Sequence, residues 1–122
     1  MKRCLIVDDS RIIRRVARRI MEDLGFKAEE AVDGDKAIDA VRVSMPEIIL
    51  LDWEMPNLSG PDFVTALRRL PGGAGPKVVF CAIENDVEHI QRALDAGADE
   101  YIMKPFDGEI VRAKLDIIGM LD

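Results

Sequence analysis

The sequence predicts an α/β fold, a doubly wound parallel sheet, on three observations. Five strand-length runs alternate strictly with five helix-like segments along the 122 residues. The central run, Ile48-Ile49-Leu50-Leu51, is apolar at every position, as a strand covered on both faces must be. Three runs also end in charged residues, Asp8-Asp9, Asp52 and Lys104, which a parallel sheet would bring to one rim. Right-handed crossovers should connect the strands.

Taken in order, Arg3 to Val7 is a short apolar strand ending in Asp8-Asp9. Ser10 suits an N-cap, and Ile13, Val16/Ala17, Ile20/Met21 and Leu24 recur at helical spacing. Arg11, Arg14, Arg15, Arg18 and Arg19 lie on the other face, and Gly25 suits the position just past the helix. Lys27 to Ala31 is a weaker second strand, and Asp33-Gly34 turns into a helix from Asp35 to about Val43. The central strand runs from Glu47 to Asp52, and Pro56 forbids its continuation. Pro61 fits the first turn of a third helix reaching about Leu70. Residues 71–76 are a short Gly/Pro surface loop, and Lys77 to Ala82 is a fourth strand. Asn85 with Glu88 resembles a capping box for a helix to Ala96, closed by Gly97. Glu100 to Met103 is the fifth strand, and Asp107 can cap a last helix to about Leu121.

Composition narrows the function. At this length the chain can bury a core without metal or disulfide staples, so residues 1–122 are expected to form one domain. A net charge of −6 argues against direct nucleic-acid binding, which shows a basic footprint. No run approaches a membrane span, and Met1-Lys2-Arg3 leads into no signal-peptide core, so a cytoplasmic protein is expected.

The rim residues point to chemistry. Asp8, Asp9 and Asp52 converging would repel one another, which calls for a hard divalent cation. Mg²⁺ fits, because it takes carboxylate oxygens while keeping waters and leaving positions for phosphate. Lys104 adds a point charge suited to a phosphoryl group. A carboxylate nucleophile, a metal and a lysine describe an aspartyl-phosphate site.

These residues carry a family resemblance over essentially the whole chain. Val7-Asp8-Asp9-Ser10, Ala31-Val32-Asp33-Gly34, Leu51-Asp52-Trp53-Glu54-Met55-Pro56, Gly60, Ala96-Gly97-Ala98 and Lys104-Pro105-Phe106 stand in order and at matching spacing. The chain resembles the response-regulator receiver domains of two-component signalling, of the single-domain chemotaxis type. The resemblance implies a flavodoxin-like sheet in the order 2-1-3-4-5. Asp52 would be the phosphoacceptor, taking its phosphoryl group from a histidine kinase, a histidine phosphotransfer protein or a small donor. Asp9 and Asp52 would ligate Mg²⁺, Asp8 would act largely through water, and Glu54 would offer its backbone carbonyl. Lys104 would pair with the phosphoryl group, across a bond to Pro105 that is usually cis in the family. Tyr101 matches the aromatic switch residue.

With that strand order a third strand separates Cys4 from Cys81. Two inter-strand spacings, about 9–10 Å, exceed the roughly 7 Å Cα limit for a disulfide, so both are read as buried thiols.

One departure matters. The family places Ser or Thr at the end of the fourth strand, where this chain has Ala82, and neither Cys81 nor Ile83 can replace that hydroxyl. A hydrogen bond to a charged group is worth roughly 1.5–3 kcal/mol, enough to shift a two-state ratio more than tenfold. Phosphorylation at Asp52 should therefore couple weakly to Tyr101. The Glu54 side chain, two residues past the acceptor, could reach over the phosphoryl group. The helix-1 arginines are a solvated face or a docking surface for a kinase or phosphotransfer domain, and His89 is expected to be inert.

Ending at Asp122, the chain leaves no room for an effector domain, so it is expected to act by binding a downstream protein. The expected surface lies around Glu88, Arg92, Tyr101 and Arg112. It would not be an enzyme toward other substrates, promoting only its own phosphorylation and dephosphorylation. Three alternatives stand beside this one. A phosphatase or phosphotransferase would use Glu54 as acid–base, but Met55-Pro56 follows at once and no cap domain holds a substrate. A flavin or nucleotide binder would want Gly, Ser or Thr where Asp8-Asp9 stand. A degenerate, phosphorylation-insensitive scaffold draws its support from Ala82.

Overall fold

The computed structural model describes residues 1–82 and 87–121, apart from the side chains of Val87 and His89. The chain runs β1 (Arg3–Val7), α1 (Arg11–Asp23), β2 (Lys27–Ala31), α2 (Gly34–Val43), β3 (Ile48–Asp52), α3 (Gly60–Arg69), β4 (Lys77–Ala82), α4 (Val87–Ala96), β5 (Glu100–Met103) and α5 (Gly108–Ile117). The strands form one parallel sheet in the order β2-β1-β3-β4-β5, as the resemblance implied.

Strand periodicity divides the core in two. Cys4, Ile6, Ile48, Leu50, Val79, Cys81 and Ile102 point to one face, where Ala17 and Met21 of α1 and Val111 and Leu115 of α5 cover them. Leu5, Val7, Ile49, Leu51, Val78 and Phe80 point to the other, under Ala37, Val41, Phe63, Val64, Leu67 and Ala93. β3 is buried at all five positions, so its end opens at the middle of the rim. Both cysteines are free and buried, on strands separated by β3. Burial pushes both thiols up, Cys81 to about 12, so neither ionises near neutral pH.

Helix starts follow local chemistry. Ser10, Asp33, Ser59 and Asp107 accept from the backbone N–H groups of Ile13, Lys36, Asp62 and Ile110. The Asp33 cap starts α2 at Gly34, one residue before the expected Asp35, and β3 begins at Ile48 instead of Glu47. α5 stops at Ile117, short of the expected Leu121, because Gly119 adopts φ 75° and turns the chain. The Met120 N–H then donates to the Leu115 carbonyl (2.8 Å), and the Met120 side chain returns to the core. Of the expected stripe, Ala17 and Met21 are buried in the seam, whereas Val16 is 43% exposed. The expected Asn85–Glu88 capping box and Ile83 involve residues outside those described, and so does the His89 side chain. Among the described residues no helix is long and apolar enough to cross a membrane.

Candidate functional site

Strand register decides what meets at the rim. Val7 pairs with Leu51, Asp52 with Cys81 and Ala82 with Met103, so the residues ending β1, β3 and β5 emerge together. Lys104 Nζ donates to Asp8 Oδ2 at 2.7 Å and to Asp52 Oδ1 at 3.0 Å. Asp8, Asp9 and Asp52 each bring a carboxylate oxygen within 4.8 Å of the others. Asp8 and Asp52 are buried, whereas Asp9 is exposed and opens the cluster to solvent. Asp8 Oδ1 also accepts the Ser10 N–H (2.8 Å), which locks that carboxylate in place.

The charges do not balance. One ammonium serves three carboxylates, and the surplus is negative. Burial pushes the Asp52 carboxyl above the usual carboxylate range, with Lys104 opposing and Asp8 and Asp9 reinforcing. Burial also disfavours the Lys104 ammonium, but hydrogen bonds to Asp8 and Asp52 outweigh it and hold that group above the usual lysine range. Both directions fit a cluster lacking positive charge. Hard oxygen donors at this spacing, with one exposed member, could hold a small divalent cation.

The loops around the cluster are closely fitted. The Lys104–Pro105 bond is cis, and the Lys104 N–H donates to the Ala82 carbonyl at 2.7 Å. A Cβ at Gly60 would lie 2.5 Å from the Phe80 ring and 2.8 Å from the Asp52 carbonyl, so only glycine lets α3 start that close to Asp52. Asn57 adopts φ 74° and donates through Nδ2 to Asp33 Oδ2 at 3.0 Å, tying the loop after Asp52 to the start of α2. That link escaped the sequence reading, although Pro56-Asn57 is a turn signal and Asn tolerates the left-handed region.

Ala82 ends β4 half-buried with no hydroxyl to offer. Tyr101 is half-buried, with Lys114 Nζ 4.7 Å from its ring centroid. The Glu54 side chain is exposed. Next to Asp52 in the chain, the Trp53 ring centroid lies 5.1 Å from that of Phe80, and Arg92 of α4 sits 5.7 Å from the Trp53 ring.

The arginines of α1 divide. Arg11, Arg15 and Arg19 are exposed, and Arg14 and Arg18 pair with Glu30 of β2 at 3.0 and 2.7 Å. Arg18 is still 41% exposed, so only Arg14, at 13%, leaves the expected solvated face. Arg112 lines a cleft with Ile20 and Asp23 of α1 and the capping Leu24. Lys114, two residues on and therefore on another face of α5, is the cation at Tyr101.

The comparisons with known proteins agree with this geometry. Residues 4–116 match the family model of the response regulator receiver domain. Phosphate regulon transcriptional regulatory protein PhoB, from Klebsiella pneumoniae and from Escherichia coli, is 34% identical over 117 residues, which is 96% of this chain and 51% of PhoB. The chain thus spans about half the length of the curated relatives it matches. Among solved structures, the chemotaxis response regulator CheY4 of Vibrio cholerae superposes with a TM-score of 0.91 at 29% identity, covering 97% of this chain and 98% of CheY4. A CheY-like receiver domain protein of Methanospirillum hungatei gives 0.87 at 27% identity, covering 97% and 93%.

Proposed function

The chain belongs to the response-regulator receiver family, and from that premise we propose that residues 1–122 form one cytoplasmic receiver domain switched by phosphorylation of Asp52. The observation that carries this reading is the Lys104 ammonium held between Asp8 and Asp52, with Asp9 completing a carboxylate cluster. The Asp52 and Asp9 carboxylates and the Glu54 carbonyl would hold Mg²⁺, with Asp8 acting through water. Bound Mg²⁺ would supply the charge neutralisation that lets an anionic phosphoryl group approach an anionic nucleophile.

Asp52 would attack phosphorus, forming the acyl–phosphate O–P bond as the bond to the donor's nitrogen or oxygen breaks. Lys104 would exchange a carboxylate partner for a phosphoryl oxygen. Asp8, locked by Ser10 and Lys104, would keep its place throughout. The donor would be a histidine kinase or histidine phosphotransfer protein. Phosphorylation would alter a protein-binding surface on α4, β5 and α5, around Glu88, Arg92, Tyr101 and Lys114. The exposed apolar residues Ile12 and Val16 on α1, beside Arg11, Arg15 and Arg19, suit docking of the donor. The domain would catalyse only its own phosphorylation and dephosphorylation.

Intact mass after incubation with Mg²⁺ and a small acyl phosphate tests this. The parent is expected to gain one phosphoryl group and Asp52→Asn none; an unmodified parent would reject the reading. Ala82 favours a second reading, a phosphorylation-insensitive scaffold. If Ala82→Thr increases the phosphorylation-dependent change at Tyr101, followed by NMR, the hydroxyl was the missing link. An identical response from both proteins would reject weak coupling as a property of Ala82.

A further inference from the structure

We propose that Arg14, backed by Glu30, is a positioning residue that holds the Asp8–Asp9 pair in the geometry a cation requires; this rests on the metal-site reading above. Arg14 stands one turn into α1 and carries no ligand atom for a cation, yet its side chain is largely buried beneath the cluster, 13% exposed. Its Nη1 donates to the backbone carbonyl of Asp8 at 2.8 Å, and its Nε donates to Glu30 Oε1 at 3.0 Å. Arg18 Nη1 donates to the other Glu30 oxygen at 2.7 Å. Hydrogen bonding from Arg18, then from Arg14, holds Glu30 below the usual carboxylate range against the opposing effect of burial.

The geometry matters because of which atom Arg14 holds. The Asp8 carbonyl belongs to the peptide joining Asp8 to Asp9, so fixing that oxygen fixes the peptide plane and the direction in which Asp9 leaves the chain. Every other polar group of Asp8 is engaged too: its N–H donates to the Ala31 carbonyl (3.2 Å), Oδ1 accepts from Ser10, and Oδ2 accepts from Lys104. Asp9, exposed at the mouth, relies on this peptide to stay near the other two carboxylates. The anchor is β2, an edge strand whose Ala31 carbonyl also takes the Asp8 N–H. Partners in the second layer around a metal commonly change affinity 10–100-fold when removed.

Positioning and simple electrostatics predict opposite signs. Removing a guanidinium from beneath the cluster makes the site more negative, and by charge alone Mg²⁺ would bind tighter. If Arg14 positions the ligands, Mg²⁺ binds more weakly despite the added negative charge. The test titrates Mg²⁺ by Trp53 fluorescence in the parent, Arg14→Ala, Arg14→Lys and Arg14→Met, with urea midpoints alongside and phosphorylation by a small acyl phosphate at each Mg²⁺ concentration. Arg14→Ala should raise the half-saturating Mg²⁺ about tenfold, leave the maximal rate at saturation within about twofold, and be partly rescued by Arg14→Lys. Unchanged or tighter Mg²⁺ binding in a folded Arg14→Ala protein overturns the proposal. If Arg14→Ala does not fold, Arg14→Met decides, since it keeps the side-chain bulk but has no donor: a weakening of about tenfold supports the anchor, and parental or tighter binding overturns it. A parent that neither binds Mg²⁺ nor takes a phosphoryl group fails at the metal site itself, a different result from a competent parent whose Arg14 variant is indistinguishable.

Discussion

Each end of the sheet contains a largely buried cation, and the two are treated in opposite ways. At the amino ends of the strands, Arg68 Nη1 donates to the carbonyls of Gly73 and Pro76 at 2.9 and 2.8 Å. Its Nη2 donates to the Gly97 carbonyl at 2.8 Å and to Asp99 Oδ2 at 3.3 Å. Asp99 in turn accepts the Val78 N–H at 2.8 Å. The Asp99 carboxylate is fully partnered there, by Arg68, by the Val78 N–H and by Lys77 Nζ at 3.9 Å, and the other Arg68 hydrogen bonds go to carbonyls. At the carboxyl ends Lys104 meets Asp8 and Asp52 with Asp9 close by, so negative charge is left over. A saturated network staples loops together; an unbalanced one is held ready for something that arrives. The difference separates structure from function without reference to any relative.

The largest effect should come from breaking the saturated end. Arg68→Ala orphans three carbonyls and removes one of the partners of the Asp99 carboxylate, and should cost about 3 kcal/mol by urea denaturation. The half-saturating Mg²⁺ concentration should stay within about twofold of the parent. A loss of metal affinity would break the contrast between the two ends.

Next, Mg²⁺ at about a hundred times its dissociation constant should stabilise the parent by roughly 2.7 kcal/mol. Arg68→Ala should gain the same increment, since the sites share no partner. Asp9→Asn should gain much less, which thermal scans with and without metal would show.

A smaller effect has an informative sign. With its folded value raised by burial, Asp52 contributes a penalty that is absent below the ordinary aspartate value of 3.8 and grows as pH rises through the folded value. Metal-free Asp52→Asn should therefore be more stable than the parent at pH 7, on the order of 1 kcal/mol, with the gain vanishing in acid. Asp99→Asn, at the matched end, should be less stable than the parent at pH 7. Parallel pH-dependent urea midpoints for the two variants would expose a shared sign, and with it the failure of the comparison.

The smallest concerns Asn57. Asn57→Gly loses the hydrogen bond to Asp33 but gives φ 74° to the residue best suited to it, so stability should move by no more than about 0.5 kcal/mol. Asn57→Ala should cost about 1 kcal/mol by chemical denaturation.

How much of this could be read from the sequence follows the range of the interactions. β1, β4 and β5 have the limits their apolar runs and turn residues indicate, because apolar runs and breakers are local signals. Asp8, Asp9, Asp52 and Lys104 were legible because a parallel sheet sends strand ends to one rim. The end of α5 differs from the expected Leu121 because a lone glycine does not itself announce the left-handed turn that Gly119 makes. The roles of Arg14 and Arg68 were out of reach. Arg68 meets Gly97 and Asp99 across 29 and 31 residues, and no periodicity records such a pairing.

The same arginines have a consequence for how the molecule behaves in a crowd. β2 is an edge strand with Lys27, Glu29 and Glu30 exposed. Arg3 of β1 pairs with Glu29, and Arg14 and Arg18 of α1 pair with Glu30. A strand from another chain that approached this edge would have to strip water and partners from a row of fixed charges before it could form a single backbone hydrogen bond. The rim-supporting contacts thereby double as a guard against sheet-to-sheet aggregation, and a variant that neutralises Glu29 and Glu30 together should aggregate from solution at concentrations the parent tolerates, as light scattering would record.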